Sequence, residues 1–239
     1  RVHDVTTSEA SMTLRYAPGE SFVNSKQRRV PVSLDAPVFT LTHAMGFKGV
    51  LGGEYNFNRT EASIWKRFWL PASWGKIDCS VKAGAEWNTV PFPLLILPEA
   101  NLSYITQRET FCLINNMEFL NDRFASMSIS YDMNGKLFNR IPLLKNLKWR
   151  EMFRVRALWG TLTDKNNPFK SSNPDLFRFP TRDGKFTSFV MDPKVPYVEA
   201  SVGIYNIFKL LHVEYVHRFT YRDNPGINKN GIRFMVLMV

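Results

Sequence analysis

The chain has 239 residues, a net charge of +10 and a mean hydropathy of −0.22, and no run in it approaches the ~18 apolar residues of a membrane helix. Its 31 Lys and Arg are dispersed, with only Lys26-Gln27-Arg28-Arg29 and the spaced Lys145, Lys148 and Arg150 approaching a cluster, so no nucleic-acid partner is expected. Two cysteines, Cys79 and Cys112, give no disulfide framework, and His3, His43, His212 and His217 have no metal-ligand spacing.

In chain order the pattern predicts about ten strands: Ser11–Ala17, Val38–Phe47, Tyr55–Leu70, Lys76–Asn88, Gln107–Phe119, Arg123–Asn134, Lys148–Gly160, Tyr197–Ile207, Leu211–Tyr221 and Gly231–Val239. The clearest is the fourth, where Ile77, Cys79, Val81, Ala83, Ala85 and Trp87 alternate with Asp78, Ser80, Lys82, Gly84 and Glu86. The same period places Ala125, Met127, Ile129 and Tyr131 opposite four polar residues, and Val198, Ala200, Val202 and Ile204 opposite Glu199, Ser201 and Gly203. Most of these strands run roughly 10 to 13 residues, close to the ~9–11 that cross hydrocarbon at a tilt and twice the usual ~5–6 of soluble sheets.

Short connections at Gly52-Gly53, Leu120-Asn121-Asp122, Phe208-Lys209 and Asp223–Gly226 suit antiparallel neighbours, so a meander is expected. Two connections are long, Pro18–Pro37 and Thr161–Pro196. Counting ten strands backwards from the last places both on one side, read as the outside, with Pro71–Gly75, Leu120–Asp122 and Arg222–Asn230. The apolar, Pro-containing stretches Pro91–Ser103 and Asn139–Leu147 then fall together at the periplasmic rim. Their Phe92, Leu94, Ile96, Ile141 and Leu143 are candidate contacts for a partner.

Aromatics form 14% of the chain, and Trp65, Phe68, Trp69, Trp74, Trp87, Phe92, Trp149, Trp159 and Tyr221 stand near predicted strand ends, as interfacial girdles would. The expected fold is therefore all-β, an antiparallel transmembrane β-barrel occupying residues 1–239. Its lipid face would carry Val81, Ala83, Met127, Ile129, Val198, Ala200, Val202 and Phe234, and its lumen Lys82, Glu86, Arg154, Arg156, His212, Glu214 and Arg218. His212, Glu214 and Arg218 share one strand face and read as a hydrogen-bonded polar ladder rather than a metal or proton-relay site. No catalytic residue, cofactor or metal is assigned, and no enzymatic activity is expected. Asp164-Lys165-Asn166-Asn167 lacks the Gly and terminal acid of a calcium loop, and Gly49, Gly52 and Gly53 fit a hairpin better than a phosphate cradle.

Blocks spread in order over nearly all of the chain carry a family resemblance. They include Lys48-Gly49-Val50-Leu51-Gly52-Gly53, Lys66-Arg67-Phe68-Trp69-Leu70, Asn88-Thr89-Val90-Pro91-Phe92-Pro93, Ile114-Asn115-Asn116-Met117-Glu118-Phe119, Asn139-Arg140-Ile141-Pro142-Leu143-Leu144 and Asn206-Ile207-Phe208-Lys209-Leu210-Leu211. In these the chain resembles the C-terminal region of outer-membrane proteins of unknown function that carry a carboxypeptidase-regulatory-like domain. More distantly, that family is similar to the sixteen-stranded barrels of outer-membrane assembly and secretion. The resemblance implies the C-terminal part of such a barrel in the bacterial outer membrane, with no peptidase activity, since the carboxypeptidase word refers to a small upstream sandwich. It implies contact with the bilayer and lipopolysaccharide and with other outer-membrane proteins or lipoproteins. The Arg-Gly-Phe or Arg-Gly-Tyr tripeptide of the superfamily's inward loop is absent from the sequence. A non-enzymatic role in assembling, inserting or exporting envelope proteins, or in anchoring a periplasmic module, is the expectation. The alternative is a passive pore favouring anions through Lys82, Arg154, Arg156 and Arg218.

Overall fold

The computed structural model describes residues 4–24, 29–33, 35–101, 103, 105, 110–171, 176–179, 181–182 and 184–236. Its strands are β1 (Glu9–Tyr16), β2 (Phe22–Asn24), β3 (Arg29–Pro31), β4 (Val38–Gly46), β5 (Phe57–Trp69), β6 (Lys76–Glu86), β7 (Arg123–Asp132), β8 (Arg150–Thr161), β9 (Thr181–Arg182), β10 (Lys185–Phe186), β11 (Tyr197–Ile207), β12 (Leu211–Arg218) and β13 (Asn230–Val236). Nine of them form one antiparallel meander in the order β1-β4-β5-β6-β7-β8-β11-β12-β13, while β2-β3 and β9-β10 are separate two-stranded ladders. The sheet is open: β1 and β13 are its two edges, and no closed barrel forms among the described residues.

Register is continuous along the long strands. β5 and β6 pair from Arg59↔Glu86 to Trp69↔Lys76, and β7 and β8 from Arg123↔Thr161 to Asp132↔Met152. Because side chains alternate with period two, such a register puts every apolar residue of the pattern on one face of the whole sheet. That outer face is bare. Met12, Leu41, Ile64, Val81, Val155, Val202, Tyr215 and Ile232, one from each strand except β7, are 42–63% exposed. The inner face is polar along much of its length and is partly covered by two long connections.

Those connections correct the expected strand count. Gln107–Phe119 does not form a strand: residues 107–109 lie outside the described residues, and Phe111 to Leu120, buried except at Asn115 to Met117, runs as irregular chain across the inner face. A turn breaks it at Asn115–Glu118, where Glu118 N donates to Asn115 O at 3.1 Å and Met117 sits at φ 59°. Leu120-Asn121-Asp122 is likewise no exposed turn. All three residues are buried, and Asn121 exchanges backbone hydrogen bonds with Ile96.

Losing one strand changes the parity of everything before it. Connections 17–37, 70–75, 133–149 and 208–210 lie at one end of the sheet, and 47–56, 87–122, 162–196 and 219–229 at the other. The two long loops expected on one side are therefore at opposite ends, as are the two apolar stretches expected at one rim. The first end also carries a helix, α1 (Pro142–Leu147), with Pro142 in its first turn and Lys148 ending it in the left-handed conformation at φ 55°. The last strand stops at Val236, with residues 237–239 outside the described residues.

Three small cores bind the connections to the sheet. Phe57 of β5 packs with Val90, Leu95, Leu120, Leu162 and Phe179; Leu158 of β8 and Tyr197 of β11 pack with Phe111, Ile114, Phe119 and Met191; Val216 of β12 packs with Cys112 and Leu113. Ile96 is buried and Phe92 and Leu94 pack against the first core, so these three do not stand free for a partner as the sequence suggested. Ile141 and Leu143, flanking and opening α1, are exposed.

Candidate functional site

The densest chemistry lies on the inner face of β8, β11 and β12. Their register aligns Arg156 with Glu199 and Glu199 with Arg218, so the charges alternate across three neighbouring strands. Arg156 Nη1 donates to Glu199 Oε1 at 2.9 Å, and one strand row away Arg154 Nη1 donates to Glu214 Oε2 at 2.9 Å. Gly203, lying between Met152 and Glu214 in the pairing, leaves space there: a Cβ on it would meet the His212 ring at 2.9 Å. His212 Nε2 is 3.1 Å from Glu214 Oε2. Each of these charged residues is at most 6% exposed.

The two remaining partners of this network come from connection 87–122. Glu118 receives both terminal nitrogens of Arg218, at 2.6 and 3.0 Å, and the Asn224 side-chain amide at 2.9 Å. Glu199 accepts the backbone N–H of Cys112 at 2.9 Å and of Leu113 at 3.1 Å, besides the Tyr197 hydroxyl at 2.9 Å. Arg218 also donates to the carbonyls of Leu113, Thr220 and Tyr221 and lies over the Tyr197 ring at 4.8 Å. Buried charges of this kind persist only when paired and hydrogen-bonded. The network therefore acts as a clasp between the sheet and the inner segment. Burial pushes the Cys112 thiol up in pKa, with Arg156 opposing the shift.

A second polar cluster fastens connection 162–196. Asp122 accepts from the Thr163 backbone N–H and hydroxyl and from the Asn166 amide, and Asn166 Oδ1 accepts the Val90 N–H at 2.9 Å. Glu86 accepts the N–H groups of Asn58 and Asn88 and faces Arg59 at 3.7 Å. Lys82 lies between Glu99 at 2.6 Å and Glu61 at 3.3 Å.

All seven residues assigned to the lumen by alternation thus lie on the inner face, but they do not gather into one site. Arg154, Arg156, His212 and Glu214 form one group; Arg218 belongs with Glu118, Glu86 with Arg59, and Lys82 with Glu61 and Glu99. Glu118, Glu199, Asp122 and Cys112 were missed as site residues. The available signal was the polar run Asn115-Asn116 and Glu118, which interrupts an alternating pattern and marks chain that needs partners. Among the described residues no group of three or more His, Cys, Asp or Glu is arranged for a metal.

Toward the α1 end the inner face stays open as a hollow of about 710 Å³ lined in part by Thr40, Ser63, Ser80, Ser128 and Ser130. Its charges are paired: Arg67 with Asp78 at 2.6 Å and Lys76 with Asp132 at 3.6 Å.

Residues 2–169, over two thirds of the chain, match the C-terminal domain of a family of unknown function, DUF5686. The chain belongs to the DUF5686 family. The matched span of this DUF5686 chain takes in β1 to β8 and connection 87–122, hence one side of the ionic clasp, while β11 to β13 lie beyond it. No curated protein matches the DUF5686 chain.

Proposed function

We propose that this chain is part of a transmembrane β-barrel of the bacterial outer membrane. The observation that carries the reading is the inversion of its two faces, with ion pairs buried inside and Val, Ile, Leu, Met and aromatic side chains bare outside across the sheet. Soluble monomers rarely expose contiguous apolar patches beyond a few hundred Å². A lipid-facing sheet requires such a surface. Aromatics mark both borders of the outer face, with Trp87, Trp159 and Phe219 toward one end and Tyr16 and Phe68 toward the other.

Edges β1 and β13 run in the same direction, so joining them directly would make a parallel pair. Antiparallel closure needs an odd number of further strands. Seven would complete the sixteen that the resemblance implies.

Within that barrel the role is non-enzymatic. It assists the assembly, insertion or export of envelope proteins, or anchors a periplasmic module that does. The reading is supported by a long inner segment held against the inner face by polar contacts and small apolar cores rather than by a continuous strand. Deleting the protein and quantifying outer-membrane proteins and surface lipoproteins tests this role: selective loss is expected, and an unchanged envelope overturns it. Resistance to carbonate extraction with release by detergent tests the membrane part. The open hollow favours a passive pore as the second reading. For that reading, however, Lys82, Arg154, Arg156 and Arg218 are each within 3.0 Å of a carboxylate and offer no surplus charge for anions. Planar-bilayer recording separates the two.

A further inference from the structure

The two ends of the sheet differ in charge. Connections 17–37, 70–75, 133–149 and 208–210 carry eight Lys or Arg against two Asp or Glu, whereas 47–56, 87–122, 162–196 and 219–229 carry ten of each. Half of the eight fall in 133–149, which has no acidic residue.

This basic end also carries exposed apolar side chains around α1. Helix α1 buries none of its residues and packs against the short turn of helix at Phe138–Arg140. Leu143 and Leu147 of α1 are exposed, and so are Phe208 and Leu210 of the tight β11–β12 turn. The two connections are neighbours, because β8 pairs with β11 and Asn206 Nδ2 donates to Lys148 O at 2.7 Å. Arg140, Lys145, Lys148 and Lys209 stand exposed among these side chains, and none is ion-paired with a carboxylate among the described residues. The outer-face aromatics Phe153 and Tyr131, opposite one another in the β7–β8 pairing, lie just beyond this rim.

Exposed Leu and Phe beside unpaired ammonium and guanidinium groups have one surface that satisfies both: the boundary of acyl chains and anionic headgroups. A protein groove would satisfy the apolar tips but would need its own carboxylates for the cations. We infer that the α1 end, through Arg140, Lys145, Lys148 and Lys209 with Leu143 and Phe208, docks on anionic phospholipid headgroups at the membrane interface. The inference rests on the transmembrane reading above. It adds which end meets phospholipid phosphate and which residues hold it, and it leaves the charge-balanced end for the opposite surface.

The test uses the full-length protein, reconstituted in nanodiscs of phosphatidylcholine with a minor share of phosphatidylglycerol and then analysed for retained lipid by native mass spectrometry. Each basic residue near an anionic surface multiplies binding about fivefold. Wild type should therefore retain phosphatidylglycerol in preference to phosphatidylcholine. The Arg140→Gln/Lys145→Gln/Lys148→Gln/Lys209→Gln variant should lose that preference by at least about tenfold. A control variant that removes three lysines at the other end, Lys170→Gln/Lys185→Gln/Lys194→Gln, should keep it.

Equal retention of the two lipids by wild type, or equal loss in both variants, overturns the inference while the transmembrane reading stands. A fourfold variant that loses lipopolysaccharide or a co-purifying protein, yet keeps phosphatidylglycerol, overturns it as well by naming a different occupant. Failure of wild type to enter any bilayer overturns both readings together.

Discussion

Arg218 and Glu118, one hundred residues apart in sequence, meet as a bidentate ion pair at 2.6 and 3.0 Å with both side chains almost wholly buried. One residue belongs to a sheet strand and the other to the segment laid across that sheet, so this single pair measures how firmly the inner segment is held.

Removing one partner leaves a buried charge uncompensated. Glu118→Leu or Arg218→Leu should each cost about 3–5 kcal/mol, and the double Leu variant should recover much of that loss, since the desolvation cost disappears with the charges. Urea unfolding in detergent, followed by Trp fluorescence, gives the values. Single-variant losses below about 1 kcal/mol would mean the pair behaves as a solvated surface bridge.

Cys112 reports on the same segment. Burial holds its thiol proton more tightly in the folded chain than in the unfolded one. The associated stability is therefore fully present below the ordinary thiol pKa of about 8.5 and is lost as pH rises through the higher folded value. In a Cys79→Ser background, alkylation of Cys112 at mildly alkaline pH should be slow. Glu199→Ala frees the N–H groups of Cys112 and Leu113 and removes a nearby negative charge, so it should speed the reaction by about tenfold or more. Mass-spectrometric labelling kinetics decide this, and an unchanged rate would detach Glu199 from the segment's closure.

The two faces of the sheet predict opposite responses to one substitution. Val202→Arg, in the middle of the bare outer face of β11, should lower stability in the membrane by about 2–4 kcal/mol. Ser128→Arg, lining the polar hollow, should be tolerated far better. Refolding into lipid vesicles, scored by protease protection, compares the variants. Equal tolerance at both positions would contradict a lipid-facing outer side.

Gly160 ends the inner face of β8 beside Asn121 of the inner segment. A Cβ there would run into the Asn121 side chain, itself buried and fixed by backbone bonds to Ile96. Gly160→Ala should therefore cost about 1–3 kcal/mol by overpacking. Adding Asn121→Ala should return part of it, a coupling that a double-mutant cycle reads directly.

Nine of the ten expected strands form, with ends within three residues of the expected ones among the described residues, because the two-residue alternation is a local property and each long run needs only its own sequence to declare a face. Met117 shows where that logic fails. The run from Gln107 alternates well enough to resemble a strand, but a strand exists only if a neighbour offers a ladder, and here the chain turns at Asn115–Glu118 to place Glu118 against Arg218. Helix α1 was legible in principle from Pro142 and the Leu143, Leu144 and Leu147 spacing, yet six residues between strands are too short for a period to stand out.

The β class, the meander and the side chains that share a face follow from periodicity and short turns, which are written in the local order of residues. Which end each loop occupies, the burial of Ile96 and the carboxylate facing each of Arg154, Arg156 and Arg218 emerge only in the folded sheet. Those facts depend on contacts between residues far apart in the chain, selected by apolar burial and by the cost of leaving a buried charge without its partner, which no local pattern encodes.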